Sequence, residues 1–379
     1  MSEQTALPFV LMRGGTSKGV FLRGSALPPP GAARDSVILS LFGSPDPRQI
    51  DGLGGADILT SKLAIIDPPT RSDADLDYTF AQVSVTEPVV DYDINCGNLS
   101  AAVGAFAVDE GLVTVDGPIV EVRIHNTNTG RILIADVPIL DGAAAIEGTE
   151  VIHGVPGTGA PIGLDFSQTG GGITGALLPT GNELDILDTS IGPVDVSIVD
   201  LANLTVFFSA AAVGMAGGEG PGEFTDEHLA RVSAVKEAAA RLLGIASDGL
   251  IPVPAVVSPP ARFTSFATGE PVEADDVDLL ARVIGGRPLV LHKAYPGTLA
   301  ATTGVAARIV GTTVHAITRV GQDEIRIGHT SGVMKVKASV VHDHDGWHAK
   351  QAIYPRTARR LAEGTAFVRQ SKLPAEPSD

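Results

Sequence analysis

Two stretches lying 200 positions apart limit what this chain can fold into. From Gly97 to Val108, and again from Gly297 to Ala307, no residue carries a charge, and small residues dominate both runs. The first reads as a helix over Gly97–Asp109, uncharged for more than three turns. A helix without a polar stripe is a buried one, and small side chains let strands approach it from every side. The second run predicts a matching helix from Gly297. The sequels match as well: VRIHNTNTGRILIADV follows the first and IRIGHTSGVMKVKASV the second. Each reads as strand, polar turn ending in Thr-Gly or Ser-Gly, then strand. Cys96 to Thr129 and Pro296 to His329 both span 33 positions. The pattern predicts an α+β fold of two related halves, each a central helix inside a curled antiparallel β-sheet. A division near Asp188–Val199 gives domains of 1–190 and 191–379.

The chain's 379 residues suit two cores, because single cores stop growing near roughly 250–300 residues. Only 4% of residues are aromatic, while there are 44 Gly and 26 Pro, a profile of strands and turns. A formal net charge of −17 makes nucleic acid and anionic membranes poor partners. An anionic substrate would need local cations or free backbone N–H groups. One cysteine precludes an internal disulfide and fits a reducing, cytoplasmic setting. The N-terminal stretch lacks a signal-peptide pattern, and no run of about 18 apolar residues predicts a membrane span.

Elsewhere, FVLMR, VFL and YTFAQVSV read as strands, and Ala33–Phe42 as a short helix. Asp226–Leu243 has an acidic first turn and an amphipathic stripe, and Gly244 ends it.

Several motifs carry chemistry. Cys96, within NCGN, stands at the first turn of a predicted helix, where orphan N–H groups and the helix dipole favour a thiolate. It is either that or a small residue at a crowded helix start. MRGGTSKG fails the phosphate-loop pattern, since Lys18 precedes the final Gly and no helix comes after it. The turn still offers free N–H groups flanked by Arg13 and Lys18, so it either holds a carboxylate or closes an ordinary hairpin. Lys62 enters an apolar strand, where it either snorkels to solvent or is desolvated toward base function. Asp73, Asp75 and Asp77 imitate a calcium loop, but Tyr78 and Ser84 stand where Gly and Glu are required. His342, His344 and His348 with Asp343 and Asp345 could be imagined around a metal. Asp345-Gly346 between strand-like flanks reads instead as a hairpin turn, and no metal is expected.

The runs LMRGGTSKG, GSPDPRQIDGLGGADILTSKLAII, YTFAQV, NCGN and LLPTGN resemble the PrpF family, which includes 2-methylaconitate, methylitaconate and 4-oxalomesaconate isomerases. HKAYPGTLAATTGVAARI and GHTSGVMKV extend the likeness into the second half. The resemblance implies the diaminopimelate epimerase-like fold, two pseudo-symmetric domains with the site in a cleft, and a lysine and a cysteine falling on Lys62 and Cys96. Epimerases of this fold use two cysteines. Here the second position falls in Tyr295–Thr298, which holds none, so a two-thiol epimerisation is disfavoured.

The activity implied by the resemblance is a cofactor-independent 1,3-proton transfer that moves a C=C bond in a small unsaturated polycarboxylate. Lys62 and Cys96 are the expected acid–base pair. Helix-head groups at Asn95, Gly97, Asn98, Gly297 and Thr298 would hold carboxylates and stabilise a dienolate. Arg13, Thr16, Ser17, Lys18 and Ser61 would assist, with His329, Ser331 and Gly332 on the second domain's side. MRGGTSKG, GSPDPRQIDG and DADLDYTFAQV are nearest to the 4-oxalomesaconate branch, which acts in aromatic-compound breakdown. The alternatives are methylitaconate or methylaconitate isomerisation, and a non-catalytic anion-binding helper. A homodimer is compatible with the sequence.

Overall fold

The computed structural model describes residues 3–92, 96–152, 154–247, 249–286, 289–319 and 324–372. Its α-helices are α1 (Ala32–Phe42), α2 (Gly97–Asp109), α3 (Asp226–Leu243), α4 (Gly297–Arg308) and α5 (Thr313–Ile317). No described helix is long and apolar enough to cross a membrane.

The chain forms two compact units, one running to Leu164 and resuming at Arg356, the other covering Asp165–Pro355. This differs from consecutive halves meeting near residue 190, for two reasons. Strand Asp185–Thr189 pairs with Gly192–Leu201, so a cut at 190 would split a hairpin. Strand Ala358–Arg369 pairs along the whole of Gln4–Gly14, which returns the C-terminal strand to the first unit.

In the first unit, three antiparallel hairpins stand side by side: Gln4–Gly14 with Ser17–Arg23, Lys62–Asp67 with Leu76–Val83, and Ile119–Asn126 with Arg131–Leu140. Neighbouring hairpins join through parallel pairs, Ser17–Arg23 with Lys62–Asp67 and Leu76–Val83 with Ile119–Asn126. Helix α1 links the first two hairpins, and α2 the last two.

The second unit repeats the plan. Its hairpins are Gly192–Leu201 with Asn203–Ser209, Val253–Ser258 with Leu279–Gly285, and Glu324–His329 with Gly332–Asp343. Parallel pairs again join them, with α3 and α4 at the corresponding positions. The repeat read from the central helices therefore extends over whole units. The sheets are antiparallel within hairpins and parallel between them.

Each sheet carries one helix per face. Helix α1 buries Val37, Ile38, Leu41 and Phe42 against Leu63, Ile65, Ala81 and Val83. Helix α3 sets Val232, Val235 and Ala239 against Val196, Ile198, Val206 and Phe208. Thr225 caps α3, and Gly244 ends it in the left-handed region. Because strand side chains alternate, the neighbours of Leu63 and Ile65 on the other face are Lys62, Ala64 and Ile66. That face belongs to α2.

Helices α2 and α4 are buried from Leu99 to Val108 and from Leu299 to Ala307. Both need glycine seven residues in. A Cβ on Gly104 would lie 2.7 Å from the Ala135 Cβ, and one on Gly304 would lie 2.6 Å from a Val336 methyl. Gly104→Val and Gly304→Val should each cost about 1–3 kcal/mol through overpacking, read as a lower urea midpoint at unchanged m-value.

Candidate active site

In the first unit, the Gln4–Gly14/Ser17–Arg23 turn presses on the head of α2. A Cβ at Gly14 would meet the Asn98 carbonyl at 2.4 Å, and Gly15 takes φ +50° beside the Asn98 side chain. Glycine is required there for approach and for conformation. The RGGTSKG turn thus sits on a helix head. Asn98 Nδ2 donates to Thr16 Oγ1 at 3.0 Å, and Arg356 Nε donates to Asn98 Oδ1 at 2.9 Å. Arg356 is almost fully buried, which brings a cation beside the first turn of α2.

Cys96 is the residue before the first turn of α2, is half-buried, and does not cap the helix with its side chain. Its Sγ lies 3.7 Å from the Ser17 Oγ. Ser100 Oγ donates to the Cys96 carbonyl at 3.1 Å. The side chain that usually satisfies a helix's first N–H groups is therefore replaced by a thiol, and this end suits an anion.

Lys62 does not snorkel. It is 6% exposed, donates to Gln82 Oε1 at 2.8 Å, and places its ammonium 5.1 Å from the Phe80 ring centroid. Gln82 is itself fixed, because its Nε2 donates to the carbonyls of Ile58 and Ser61. A neutral acceptor thus holds the amine in an apolar wall.

In the second unit, Pro296 precedes α4 and also supplies no side-chain cap. Gly297 and Thr298 are half-buried, as Gly97 and Asn98 are. A Cβ at Gly297 would collide with the Tyr354 ring at 2.3 Å. Hairpin residues 329–332 are tied to the chain entering α4: Ser331 Oγ donates to the Lys293 carbonyl, and Thr330 Oγ1 to that of His292. His329 is buried, accepts from the Ser331 N–H at Nδ1, and lies 6.1 Å from the Tyr295 ring.

The structure therefore gathers Thr16, Ser17, Cys96, Gly97 and Asn98 in one unit, with Lys62 on the same sheet face. It gathers Gly297, Thr298, His329, Ser331 and Gly332 in the other. Arg13 and Lys18 are not part of either group. They are cross-strand partners, whereas the Gly14–Ser17 pair beside them faces α2, so they belong to the opposite face. Arg13 donates to the Gly15 and Thr357 carbonyls and to Thr357 Oγ1. Ser61 turns its hydroxyl to Gln49 Oε1 at 2.7 Å and supports a loop. Asn95 lies outside the described residues. Asp343 and Gly346 close a hairpin around exposed His344 and Asp345.

Sequence reasoning missed Gln82, Arg356 and Arg282. Arg282 is buried, donates to the carbonyls of Glu219, Ala281 and Gly328, and burial pulls it down to about 10. Nothing in their local sequence marks them. Each is defined by a partner far along the chain.

The family model described as PrpF protein matches residues 4–369. A 3-methylitaconate isomerase of Eubacterium barkeri is 49% identical over 98% of this chain and 100% of its own length. A 4-oxalomesaconate tautomerase of Pseudomonas putida is also 49% identical, but over only 57% of this chain and 59% of its own. Among solved structures, a methylitaconate Δ-isomerase superposes with a TM-score of 0.93 at 48% identity, covering 100% of this chain and 99% of its own. A hydroxyproline epimerase from Agrobacterium vitis shares the fold at TM-score 0.52 and 12% identity, over 97% of this chain and 93% of its own.

Gly297→Ala should lower the unfolding midpoint by the equivalent of ~1–3 kcal/mol through its clash with Tyr354. Gly285→Ala, where a Cβ meets nothing within 4 Å, should leave it unchanged in the same denaturation series.

Proposed function

Since the chain belongs to the PrpF family and is an isomerase, we propose that it moves the C=C bond of a small unsaturated dicarboxylic acid of the methylitaconate type. Lys62 and Cys96 are the acid–base pair in this reading. The observation that carries it is the pairing, in one unit, of an amine desolvated in the sheet wall with a half-buried thiol at an uncapped helix head. Relatives matched along their whole length support this substrate class. The 4-oxalomesaconate expectation gives way, since the relative named for that activity matches over little more than half the chain. The motifs that pointed to it all lie in the first half of the chain.

The reaction balances without a cofactor. One member of the pair removes the proton from the carbon next to a carboxylate, and the electron pair delocalises through the C=C bond as a dienolate. The other member delivers a proton to the terminal methylene carbon, leaving the double bond between the two former backbone carbons. The negative charge that develops on carboxylate oxygen is met by the free N–H groups at the head of α2 and by the nearby Arg356 guanidinium. Gln82 keeps the Lys62 amine aimed along the wall. Ser17 stands within reach of the Cys96 sulfur and orients it.

The test is proton NMR of the purified chain with 3-methylitaconate in D2O. The exomethylene signals should disappear as a methyl group carrying one deuterium grows in, and 4-oxalomesaconate should convert more slowly under the same conditions. Faster conversion of 4-oxalomesaconate would reverse the substrate assignment. Cys96→Ser and Lys62→Met should each lower turnover at least ~100-fold. A near-normal rate in either variant would remove that residue from the pair.

A further inference from the structure

Beneath the loop spanning residues 146–158, the first unit holds a cavity of about 250 Å³ that the proposed reaction does not use. Glu150 and Gly159 exchange two backbone hydrogen bonds of 3.0 Å, which close the loop. A Cβ at Gly159 would come within 3.2 Å of the Thr357 side chain, so the loop lies directly on the sheet. The volume is below the roughly 300–1,000 Å³ of pockets for drug-sized ligands and suits a small metabolite.

The sheet contributes cations. Arg13 and Arg359 stand directly opposite each other on adjacent strands, and both line the cavity. Like charges so placed repel, and neither arginine forms an ion pair with a described residue. Burial and the Arg359 charge both pull the half-buried Arg13 guanidinium below its usual value. Only its Nη1 is committed, donating to the Gly15 carbonyl and to the carbonyl and Oγ1 of Thr357. Nε and Nη2, the edge that fits a carboxylate with two parallel hydrogen bonds, donate to no described residue. Thr357 is 3% exposed and lines the same cavity, and its hydroxyl proton is likewise uncommitted among the described residues. The loop contributes the opposite charge, because Glu147 and Glu150 also line the cavity without pairing with either arginine. A dicarboxylate held by the arginines would meet these two carboxylates, and a simple cation would meet the arginines. A ligand carrying both signs answers both sets of groups. Ile152, Val155 and Leu361 add an apolar side.

We propose that this cavity binds a small apolar α-amino acid as its zwitterion, with the carboxylate on Arg13, Arg359 and Thr357 and the ammonium toward Glu147 and Glu150. The Nε–Nη2 edge of Arg13 takes the carboxylate, and the Thr357 hydroxyl donates to it. The apolar side chain lies against Ile152, Val155 and Leu361. The site is separate from the proposed acid–base pair, since Arg13 belongs to the sheet face opposite the one that meets α2. Neither Lys62 nor Cys96 takes part, so the inference does not depend on the isomerase substrate.

Saturation-transfer NMR of the full chain with L-valine, L-leucine, L-isoleucine and L-methionine, each alone, tests this. At least one should bind. Its deaminated analogue, 3-methylbutanoate in the case of L-valine, should bind roughly tenfold more weakly, the scale of one hydrogen bond between charged groups. Arg359→Gln, at an exposed position, should weaken the amino acid by a similar factor. Glu147→Gln combined with Glu150→Gln should abolish the preference over the deaminated analogue. Binding of none of the four would overturn the proposal. Equal binding of an amino acid and its deaminated analogue would also overturn it, by making the cavity a plain anion site. So would unchanged affinity in a folded Arg359→Gln protein, which would place the amino acid elsewhere. Should Arg359→Gln fail to fold, the glutamate variant decides, and a preference that survives in it would overturn the proposal.

Discussion

Burying a helix on every side is the constraint on which the rest of this structure depends. Helix α2 can lie inside the sheet only if its side chains are small and uncharged, and α4 obeys the same rule. Such a helix has no flank on which to place function, so its chemistry is confined to its ends. The first-turn N–H groups are the strongest unsatisfied dipoles there, and neither Cys96 nor Pro296 caps them with a side chain. A chain with net charge −17 thereby offers anions a local site that its overall field would deny.

The surrounding sheet supplies the setting for the proposed acid–base work at that helix end. Alternation along strand Lys62–Asp67 sends Leu63 and Ile65 to the α1 core and Lys62 to the α2 face. A charged amine on an apolar wall needs an acceptor, and Gln82 provides one from the neighbouring strand without neutralising the charge. Gly14 and Gly15 let the first hairpin turn come down on the helix head, which brings Ser17 to the sulfur and Thr16 to Asn98. The two units share hairpin order and helix placement, yet only one carries the thiol. The two units are unequal: one holds Lys62 and Cys96, the proposed acid–base pair, and the other holds a helix head, a buried histidine and a buried arginine.

Much of this was legible in the sequence because it is written in local pattern. The two uncharged runs predicted α2 and α4 almost to the residue, and the amphipathic stripe with Gly244 did the same for α3. Lys62 and Cys96 stood out by chemistry in an unusual setting. The domain division was not legible, since it depends on strand Ala358–Arg369 pairing with residues more than 340 positions away. Arg13 and Lys18 looked like site cations by proximity to Ser17, but strand alternation sends them to the other face. Gln82 and Arg356 were missed for the converse reason: each matters through a partner that only the fold brings near.

In the proposed reaction two unlike groups share one proton shift, one removing the proton and the other returning it. The direct measurement is deuterium exchange by the Lys62→Met and Cys96→Ser proteins with 3-methylitaconate in D2O, followed separately from isomerisation. A variant that retains the base still forms the dienolate and exchanges the proton at the carbon next to the carboxylate without moving the double bond. The variant that lacks the base does neither. One of the two should therefore show exchange without isomerisation, and the other should show neither. Isomerisation at a normal rate in either variant, or exchange retained in both, would contradict a shared proton shift.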